Sequence, residues 1–145
     1  MRAMTHNDIT AVLALEHQLY PVDAWSGAQF LDELRSVPAT RHYVVIEEAG
    51  QIIGYAGVMV VGEHADIQTL SVATTHQGKG LGQTLLNELE REARARKAEA
   101  IFLEVRVDNT PATSLYLKNG YEEIGRRDNY YAPGVDALVM RKVLA

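Results

Sequence analysis

Cysteine is absent from the 145 residues of the chain. This absence excludes disulfide bonds, thiolate zinc sites, iron–sulfur clusters and a cysteine nucleophile. Long apolar runs are also missing, since the longest stretch, from Tyr55 to Val61, falls far short of the ~20 residues that span a bilayer. The first residues have no apolar segment of the kind that signal peptides carry. We therefore expect a cytoplasmic protein with no membrane partner.

The chain also has little positive charge. It contains 14 Lys and Arg residues against 19 Asp and Glu residues, and its formal net charge is −5. A nucleic-acid-binding protein normally carries a basic patch. Arg91, Arg94 and Arg96 alternate with glutamates along a predicted helix, which is typical of a solvated helix face. The charge balance therefore predicts no nucleic-acid partner.

Metal-binding and serine-hydrolase patterns are missing too. The five histidines do not follow the spacing of a motif such as His-Glu-x-x-His. Neither Ser71 nor Ser114 has an evident relay of histidine and aspartate. We therefore expect no metal site and no hydrolase chemistry.

The chain has the composition of one globular domain. Hydrophobic residues make up 47% of it and charged residues 23%, a balance typical of soluble domains. A chain of this length can bury a core without support from disulfides or metals. We therefore predict a single domain over residues 1–145.

Helix signals come first along the chain. Thr5 and Asp8 form a near capping box before a first helix, which ends before Pro21. Ser26 opens a second helix with another capping box, and Pro38 closes it. A short strand at Arg2–Met4 can precede both helices.

Strand signals follow, rich in β-branched and aromatic residues. Tyr43–Ile46, Gln51–Val61 and Glu63–Val72 are separated by turns at Ala49-Gly50 and at Gly62. Three such segments joined by short turns predict an antiparallel meander.

Helices and strands alternate in the second half of the chain. An apolar stripe predicts a helix from Leu81 to Ala93, and Asn109 caps a further helix that ends at Asn119-Gly120. The remaining strands are predicted at Ala100–Val107, Tyr121–Arg127 and Ala137–Val143. This order predicts an α+β fold with a mixed sheet and antiparallel hairpins at both ends.

The most informative segment is a glycine-rich loop between a predicted strand and a predicted helix, Gln77-Gly78-Lys79-Gly80-Leu81-Gly82. Free backbone N–H groups and the positive end of the helix dipole make such a junction a binding place for phosphate. Lys79 is misplaced for a Walker loop, and the third glycine comes one residue too early for a dinucleotide fingerprint. The loop therefore predicts a phosphate site, with a simple turn as the structural alternative.

Glu104 interrupts the apolar strand that follows this helix. A carboxylate in such a strand requires a partner or a function, so it either forms a salt bridge with Arg106 or a helix residue, or it accepts a proton. Strict alternation places Ile101, Leu103, Val105 and Val107 on one face and Phe102, Glu104 and Arg106 on the other.

Tyr116 lies on a face of the next predicted helix. A tyrosine in that setting packs in the core more often than it reacts. Its hydroxyl can also protonate a departing thiolate. Both interpretations stay open on residue type alone.

Two segments resemble the motifs of the GNAT superfamily of acyl-CoA-dependent N-acyltransferases. Gln77 to Gly82 fits the Gln/Arg-x-x-Gly-x-Gly/Ala signature, and Asn109 to Tyr121 fits Asn-x-x-Ala-x-x-Leu-Tyr-x-x-x-Gly-Phe/Tyr. Together with the order of elements, the resemblance extends over nearly the whole chain. It implies a mixed, mainly antiparallel sheet with helices on both faces, and acetyl-CoA as the co-substrate.

The resemblance also implies which residues hold acetyl-CoA. The loop amides would hold the pyrophosphate, a bulged strand around Leu70–Val72 would hydrogen-bond the pantetheine arm, and the Tyr116 hydroxyl would lie by the sulfur. The implied binding residues are Leu70, Ser71, Val72, Gln77, Gly78, Lys79, Gly80, Leu81, Gly82, Gln83, Asn109 and Tyr116.

A narrower resemblance concerns the acceptor. Leu103-Glu104-Val105-Arg106, Asn129-Tyr130-Tyr131 and Trp25-Ser26 are similar to segments of the ribosomal-protein alanine N-acetyltransferases. This implies Glu104 as general base, Tyr116 as general acid, and Trp25, Tyr130 and Tyr131 at the peptide site. The implied reaction is direct attack, in a monomeric enzyme, by the N-terminal alanine of a small-subunit ribosomal protein.

The chain departs from that pattern in two places. Ala24 stands where the family often has proline, and Ala132 separates the tyrosine pair from Pro133. Both positions belong to segments that shape the peptide site. A small-molecule amine, such as a polyamine or an antibiotic, is therefore an alternative acceptor. A non-catalytic acetyl-CoA sensor is a further alternative, but the presence of both Glu104 and Tyr116 favours catalysis.

Overall fold

The computed structural model describes residues 1–144, which form seven strands and four α-helices. The strands are β1 (Arg2–Ala3), β2 (Arg41–Glu48), β3 (Gln51–Val61), β4 (His64–Val72), β5 (Ala100–Arg106), β6 (Glu122–Ala132) and β7 (Val135–Val143). The helices are α1 (Ile9–Leu19), α2 (Gly27–Arg35), α3 (Leu81–Ala95) and α4 (Thr110–Lys118). No helix among these residues is both long and apolar enough to span a bilayer.

All seven strands form one sheet in the order β1-β2-β3-β4-β5-β7-β6. β4 and β5 are parallel, and every other neighbouring pair is antiparallel. The parallel pair is joined through α3, because parallel strands need a crossover connection. The predicted mixed, mainly antiparallel sheet is confirmed.

Helices cover both faces of the sheet, as predicted. Alternate residues of β2 point into different cores: Tyr43 and Val45 into one, Val44 and Ile46 into the other. The first core is closed by α1 and α2, and the second by α3 and α4. From the helices, Val12, Leu15 and Phe30 are buried in the first core, and Leu85, Leu86, Leu89, Ala93 and Tyr116 in the second.

The structure corrects some predicted boundaries. β2 begins at Arg41, and β6 continues to Ala132, beyond the predicted end at Arg127. The ladder between β6 and β7 shifts register between Arg127 and Ala132, and Asn129 within that shift has a φ of 54°. Val107 lies outside β5 and is 36% exposed, so the predicted end of this strand at Val107 is one residue too late.

β4 and β5 separate along their length. Their ladder consists of three pairs, which end at Asp66 opposite Phe102. Beyond that point β4 contains a bulge, because Gly57 and Val58 of β3 pair with Thr69 and Ile67 and leave Gln68 unpaired. The two strands then form opposite walls of a cavity.

Candidate functional site

Two connected cavities lie where β4 and β5 separate. The larger, the main cleft, has a volume of about 990 Å³, and the smaller, the Glu104 pocket, about 120 Å³. The main cleft extends from the glycine-rich loop along α4, and the Glu104 pocket extends between the two strands. Both are lined by Tyr20, Asp23, Leu70, Arg106, Asn109 and Ala112.

The wall formed by β4 presents free backbone groups. The N–H of Ala73 donates to the carbonyl of Ile53 in β3. Because backbone groups alternate in direction along a strand, those of Val72 and Leu70 point away from β3 and toward the main cleft. The bulge that the resemblance implied around Leu70–Val72 is present in β4 but lies at Gln68.

Ser71 does not present its side chain in the same way. It is buried, and its hydroxyl is 2.9 Å from the Tyr20 hydroxyl. Burial raises the pKa of Tyr20, so both groups stay neutral in this contact. The contact joins the end of α1 to β4 beside the main cleft.

The glycine-rich loop lies between β4 and α3, as its sequence predicted. Gly78 and Gly80 have φ values of 77° and 83°, in the left-handed region where a side chain adds strain. The first hydrogen bond of α3 runs from the Thr84 N–H to the Gly80 carbonyl, so the preceding N–H groups have no partner within the helix. Gly82 lines the cleft, and a Cβ there would lie 3.4 Å from Leu115. These groups can bind an anion.

The predicted acetyl-CoA residues fall into different positions around this loop. Leu81 and Gln83 line the main cleft, whereas Lys79 is exposed and does not line it. The Gln77 side chain donates to the Val72 carbonyl at 3.0 Å and so closes the loop. The Gln83 side chain is hydrogen-bonded to Asn119 in both directions, at 2.8 and 2.9 Å.

Asn109 has a structural task beside the cleft. Its side-chain oxygen accepts a hydrogen bond from the Ala112 N–H at 3.3 Å, which caps α4 as predicted. Since Asn109 lines both cavities, the cap also fixes the start of α4 at their junction.

Glu104 and Tyr116 both line the Glu104 pocket. The Glu104 side chain is 26% exposed, and its carboxylate lies 3.1 Å from the Arg127 guanidinium of β6. The salt bridge with Arg106 that the sequence left open is not formed. Arg106 binds Asp23 instead, at 2.6 Å, and Asp108 at 3.0 Å.

Tyr116 is a core residue that also reaches the pocket. It is 5% exposed, and its ring packs edge-on against Tyr121 at 5.5 Å. Its hydroxyl has no hydrogen-bond partner among residues 1–144. Burial, and the proximity of the Tyr20 and Tyr131 hydroxyls, raise the pKa of Tyr116, so its proton is retained. Core packing and contact with the site are therefore compatible here.

The three aromatic residues predicted at the peptide site are not equivalent. Trp25 and Tyr131 line the Glu104 pocket, and the Tyr131 hydroxyl donates to the Glu104 carbonyl at 3.3 Å. Tyr130 is 50% exposed, lines neither cavity, and packs against the Arg127 guanidinium at 5.4 Å. Burial and the charge of Glu104 raise the pKa of Tyr130.

Glu16 is a buried pocket residue that sequence reasoning missed. It is 3% exposed, accepts a hydrogen bond from the Tyr55 hydroxyl, and accepts another from the Trp25 N–H at 2.9 Å. It therefore fixes Trp25 against the pocket. The signal was present in the sequence, because position 16 shares the apolar face of α1 with Val12 and Leu19.

The His42 cluster, formed with Glu88 and Glu92, lies outside the cavities. His42 of β2 is 2.7 Å from Glu88 of α3, and Glu92 is close by at 3.9 Å. The ligand atoms of the three lie within 4.8 Å of one another. Both carboxylates already bind arginines, Glu88 to Arg91 and Glu92 to Arg96, at 2.6 Å. The cluster thus links β2 to α3 through the contact of His42 with Glu88, and arginines neutralise its carboxylates.

Comparison with known proteins adds the following findings. Residues 9–121 match the family described as Acetyltransferase (GNAT) family. The chain is 37% identical over 146 residues to N-alpha-acetyltransferase RimI of Mycobacterium tuberculosis, covering 97% of this chain and 89% of that protein. It is 34% identical over 98 residues to the [ribosomal protein bS18]-alanine N-acetyltransferase of Escherichia coli, covering 66% of each. The crystal structure of the ribosomal-protein-S18-alanine N-acetyltransferase from Escherichia coli superimposes with a TM-score of 0.87 at 26% identity, covering 99% of this chain and 92% of that one.

Proposed function

The chain belongs to the GNAT acetyltransferase family, and from that premise we propose that it transfers acetyl from acetyl-CoA to the N-terminal α-amine of a protein. The proposed acceptor is the N-terminal alanine of a small-subunit ribosomal protein, as in the names of its relatives. One observation carries the proposal: a glycine-rich loop at the start of α3 borders the main cleft, and Glu104 and Tyr116 line the pocket that adjoins it.

The main cleft suits a long ligand that carries phosphates at one end. We propose that the N–H groups of the loop and of the first turn of α3 bind the pyrophosphate of acetyl-CoA. The free backbone groups of Leu70 and the free N–H of Val72 would then hydrogen-bond the pantetheine arm as an added strand does. A backbone N–H near Val72 is proposed to polarise the thioester carbonyl.

The Glu104 pocket suits the acceptor. An α-amine has a pKa of about 7.7–8.0, so at neutral pH most of it arrives protonated. Glu104 is proposed to remove that proton, directly or through a water molecule, before the nitrogen attacks the thioester. A pocket of about 120 Å³ favours a small first side chain such as that of alanine.

Tyr116 is proposed to serve the leaving group. Its raised pKa makes complete proton transfer less favourable, but it also ensures that the hydroxyl is protonated when sulfur departs. The hydroxyl would donate a hydrogen bond to the sulfur as negative charge develops there. The chain has no cysteine to carry the acetyl group, so direct attack in a ternary complex is the proposed route.

The cellular setting is part of the same proposal. We infer a cytoplasmic enzyme that acts as a monomer, because the residues assigned to both substrates come from one chain. No role is assigned to a metal, a membrane or a nucleic acid. Light scattering of the purified protein, with and without acetyl-CoA, tests the monomer.

Acceptor competition tests the proposed reaction. We would compare kcat/KM for a peptide that begins with alanine, for its N-terminally blocked form carrying lysine, and for spermidine, following thiol release and product mass. The alanine peptide is expected to be fastest, because a lysine amine titrates near 10.4 and is almost wholly charged at pH 7. Faster turnover of spermidine would indicate that the acceptor is a small amine and not a protein. Binding of acetyl-CoA without any turnover would indicate a sensor.

A further inference from the structure

The main cleft contains one cation without an anionic partner. Its three basic residues are His76, Arg106 and Lys118. His76 lies 2.9 Å from a carboxylate oxygen of Glu48, and Arg106 is bound by its two aspartates. Lys118 forms no ion pair and no hydrogen bond within the part of the chain that the structure describes. Its ammonium is therefore available to a ligand.

Lys118 lies at the phosphate end of the cleft. It closes α4, and the next residue, Asn119, is hydrogen-bonded in both directions to Gln83 in the first turn of α3. Asn109, at the other end of α4, lines the Glu104 pocket, and nine residues of helix separate the two by roughly 13 Å. Ser114 lies one turn before Lys118 and also lines the cleft, so this face of α4 borders the ligand.

A free cation at this place matches the chemistry of acetyl-CoA. The loop and the first turn of α3 offer N–H groups for one phosphate cluster, the pyrophosphate. The coenzyme carries a second, separate phosphate on the 3′ carbon of its ribose. A phosphate monoester has a charge of about −1.5 to −2 at pH 7 and is bound in proteins mainly by Lys and Arg. Lys79 is the other lysine near the loop, but it does not line the cleft.

We propose that Lys118 binds the 3′-phosphate of acetyl-CoA and thereby distinguishes the coenzyme from its 3′-dephosphorylated form. This inference rests on the proposed function, since it assumes that acetyl-CoA occupies the main cleft. It gives the C-terminal turn of α4 a role in substrate selection.

Calorimetric titration with CoA and with 3′-dephospho-CoA tests the proposal. The wild type is expected to bind CoA about fivefold more tightly than 3′-dephospho-CoA at low ionic strength. One exposed ion pair contributes a difference of this size. Lys118→Met should reduce the ratio of the two affinities to about one. The affinity for CoA should fall, and the affinity for dephospho-CoA should stay the same. Lys118→Arg should retain it. Methionine and arginine are both good helix formers, so the fold is preserved.

Lys79→Met is the matched control, because it removes the neighbouring exposed lysine. It should leave the ratio of the two affinities unchanged. Loss of the ratio in Lys79→Met but not in Lys118→Met would overturn the assignment. A wild type that binds both coenzymes equally would also overturn it, while leaving the acetyltransferase proposal intact. A wild type that binds neither coenzyme would contradict the proposed function itself.

Discussion

Arg106 and Asp23 form an ion pair at the junction of the two cavities, with guanidinium nitrogen and carboxylate oxygen 2.6 Å apart. The pair joins the connection between α1 and α2 to the end of β5. Arg106 also lies 5.6 Å from the centre of the Tyr131 ring. One side chain thus joins three segments around the Glu104 pocket.

Asp23→Asn should therefore loosen the acceptor site. We expect the KM for an alanine-started peptide to rise roughly fivefold. The kcat should change by less than about twofold, because the reacting groups remain. Steady-state kinetics at saturating acetyl-CoA measures both. Asp108→Asn is the control, since it removes the more exposed partner of Arg106 and keeps Asp23. An unchanged KM in Asp23→Asn would show that the pair does not organise the pocket.

Glu104→Gln tests the proposed base. The amide keeps the shape of the side chain but accepts no proton, so kcat at pH 7 should fall by ~10²-fold or more. Raising the pH above about 8 should restore part of the rate, because the α-amine then arrives neutral. Glu123→Gln, an exposed site in β6 paired with Arg126, is the control. A rate deficit that does not depend on pH would contradict a role in proton removal.

Tyr116→Phe tests the proposed donor to sulfur. The kcat should fall by ~10²-fold while the Kd for acetyl-CoA stays the same. The melting temperature should hardly change, because the hydroxyl makes no hydrogen bond among residues 1–144. Tyr121→Phe is the control, because the Tyr121 hydroxyl donates to buried Glu90 at 2.8 Å. Its loss should lower the free energy of unfolding by about 1 kcal/mol or more and leave kcat unchanged. Normal turnover in Tyr116→Phe would contradict the role as donor to sulfur and would show that Tyr116 serves only in core packing.

Gly80→Asp tests the phosphate loop against a matched substitution elsewhere. Gly80 and Gly50 have φ values of 83° and 79°, and a Cβ added at either position would meet no atom beyond its chain neighbours within 4 Å. Aspartate at either site should cost about the same backbone strain, ~1–2 kcal/mol. Only Gly80→Asp should abolish acetyl-CoA binding, because its carboxylate repels the pyrophosphate. Calorimetry of both variants decides; equal affinities would refute the loop assignment.

Asp8 gives the fold a dependence on acid pH. Its carboxylate binds Arg2 at 2.8 Å and accepts from the Thr5 N–H, and these contacts lower the pKa of Asp8 to about 2. The folded state therefore binds a proton less readily than the unfolded state, whose pKa is near 3.9. The stabilisation, about 1 kcal/mol after allowing for the exposure of Arg2, is present above pH 4 and is lost as pH falls toward 2.

Urea unfolding between pH 2 and pH 7 measures this dependence. Asp8→Asn should be less stable than the wild type at pH 7, and the difference should vanish near pH 2. Asp32→Asn removes an exposed carboxylate paired with Arg35 and should show no such loss. A constant difference across the pH range would indicate that the charge of Asp8 is not responsible.

Local patterns predicted the elements and the loop. Capping residues, strand alternation and the Gly78–Gly80–Gly82 spacing act within a few residues of chain, and the structure has the helices, the strands and the strand–loop–helix junction that they indicated. The resemblance to a family then supplied the sheet architecture. Backbone preference and side-chain periodicity are properties of short segments, so the sequence alone determines them.

Tertiary structure decided which side chains meet. Glu104 lies opposite Val139 of β7, and Arg127 of β6 lies opposite Ala137, two residues away on the same strand. Glu104 can therefore pair with Arg127 across β7, and no alternation pattern contains that register. Glu16 reaches Trp25 only because the chain turns back between α1 and α2. The cavities exist because β4 and β5 stop pairing at Asp66. Contacts between distant segments depend on strand register and packing, which are properties of the whole fold. The sequence by itself determines the secondary structure of each segment and the side chains available for those contacts.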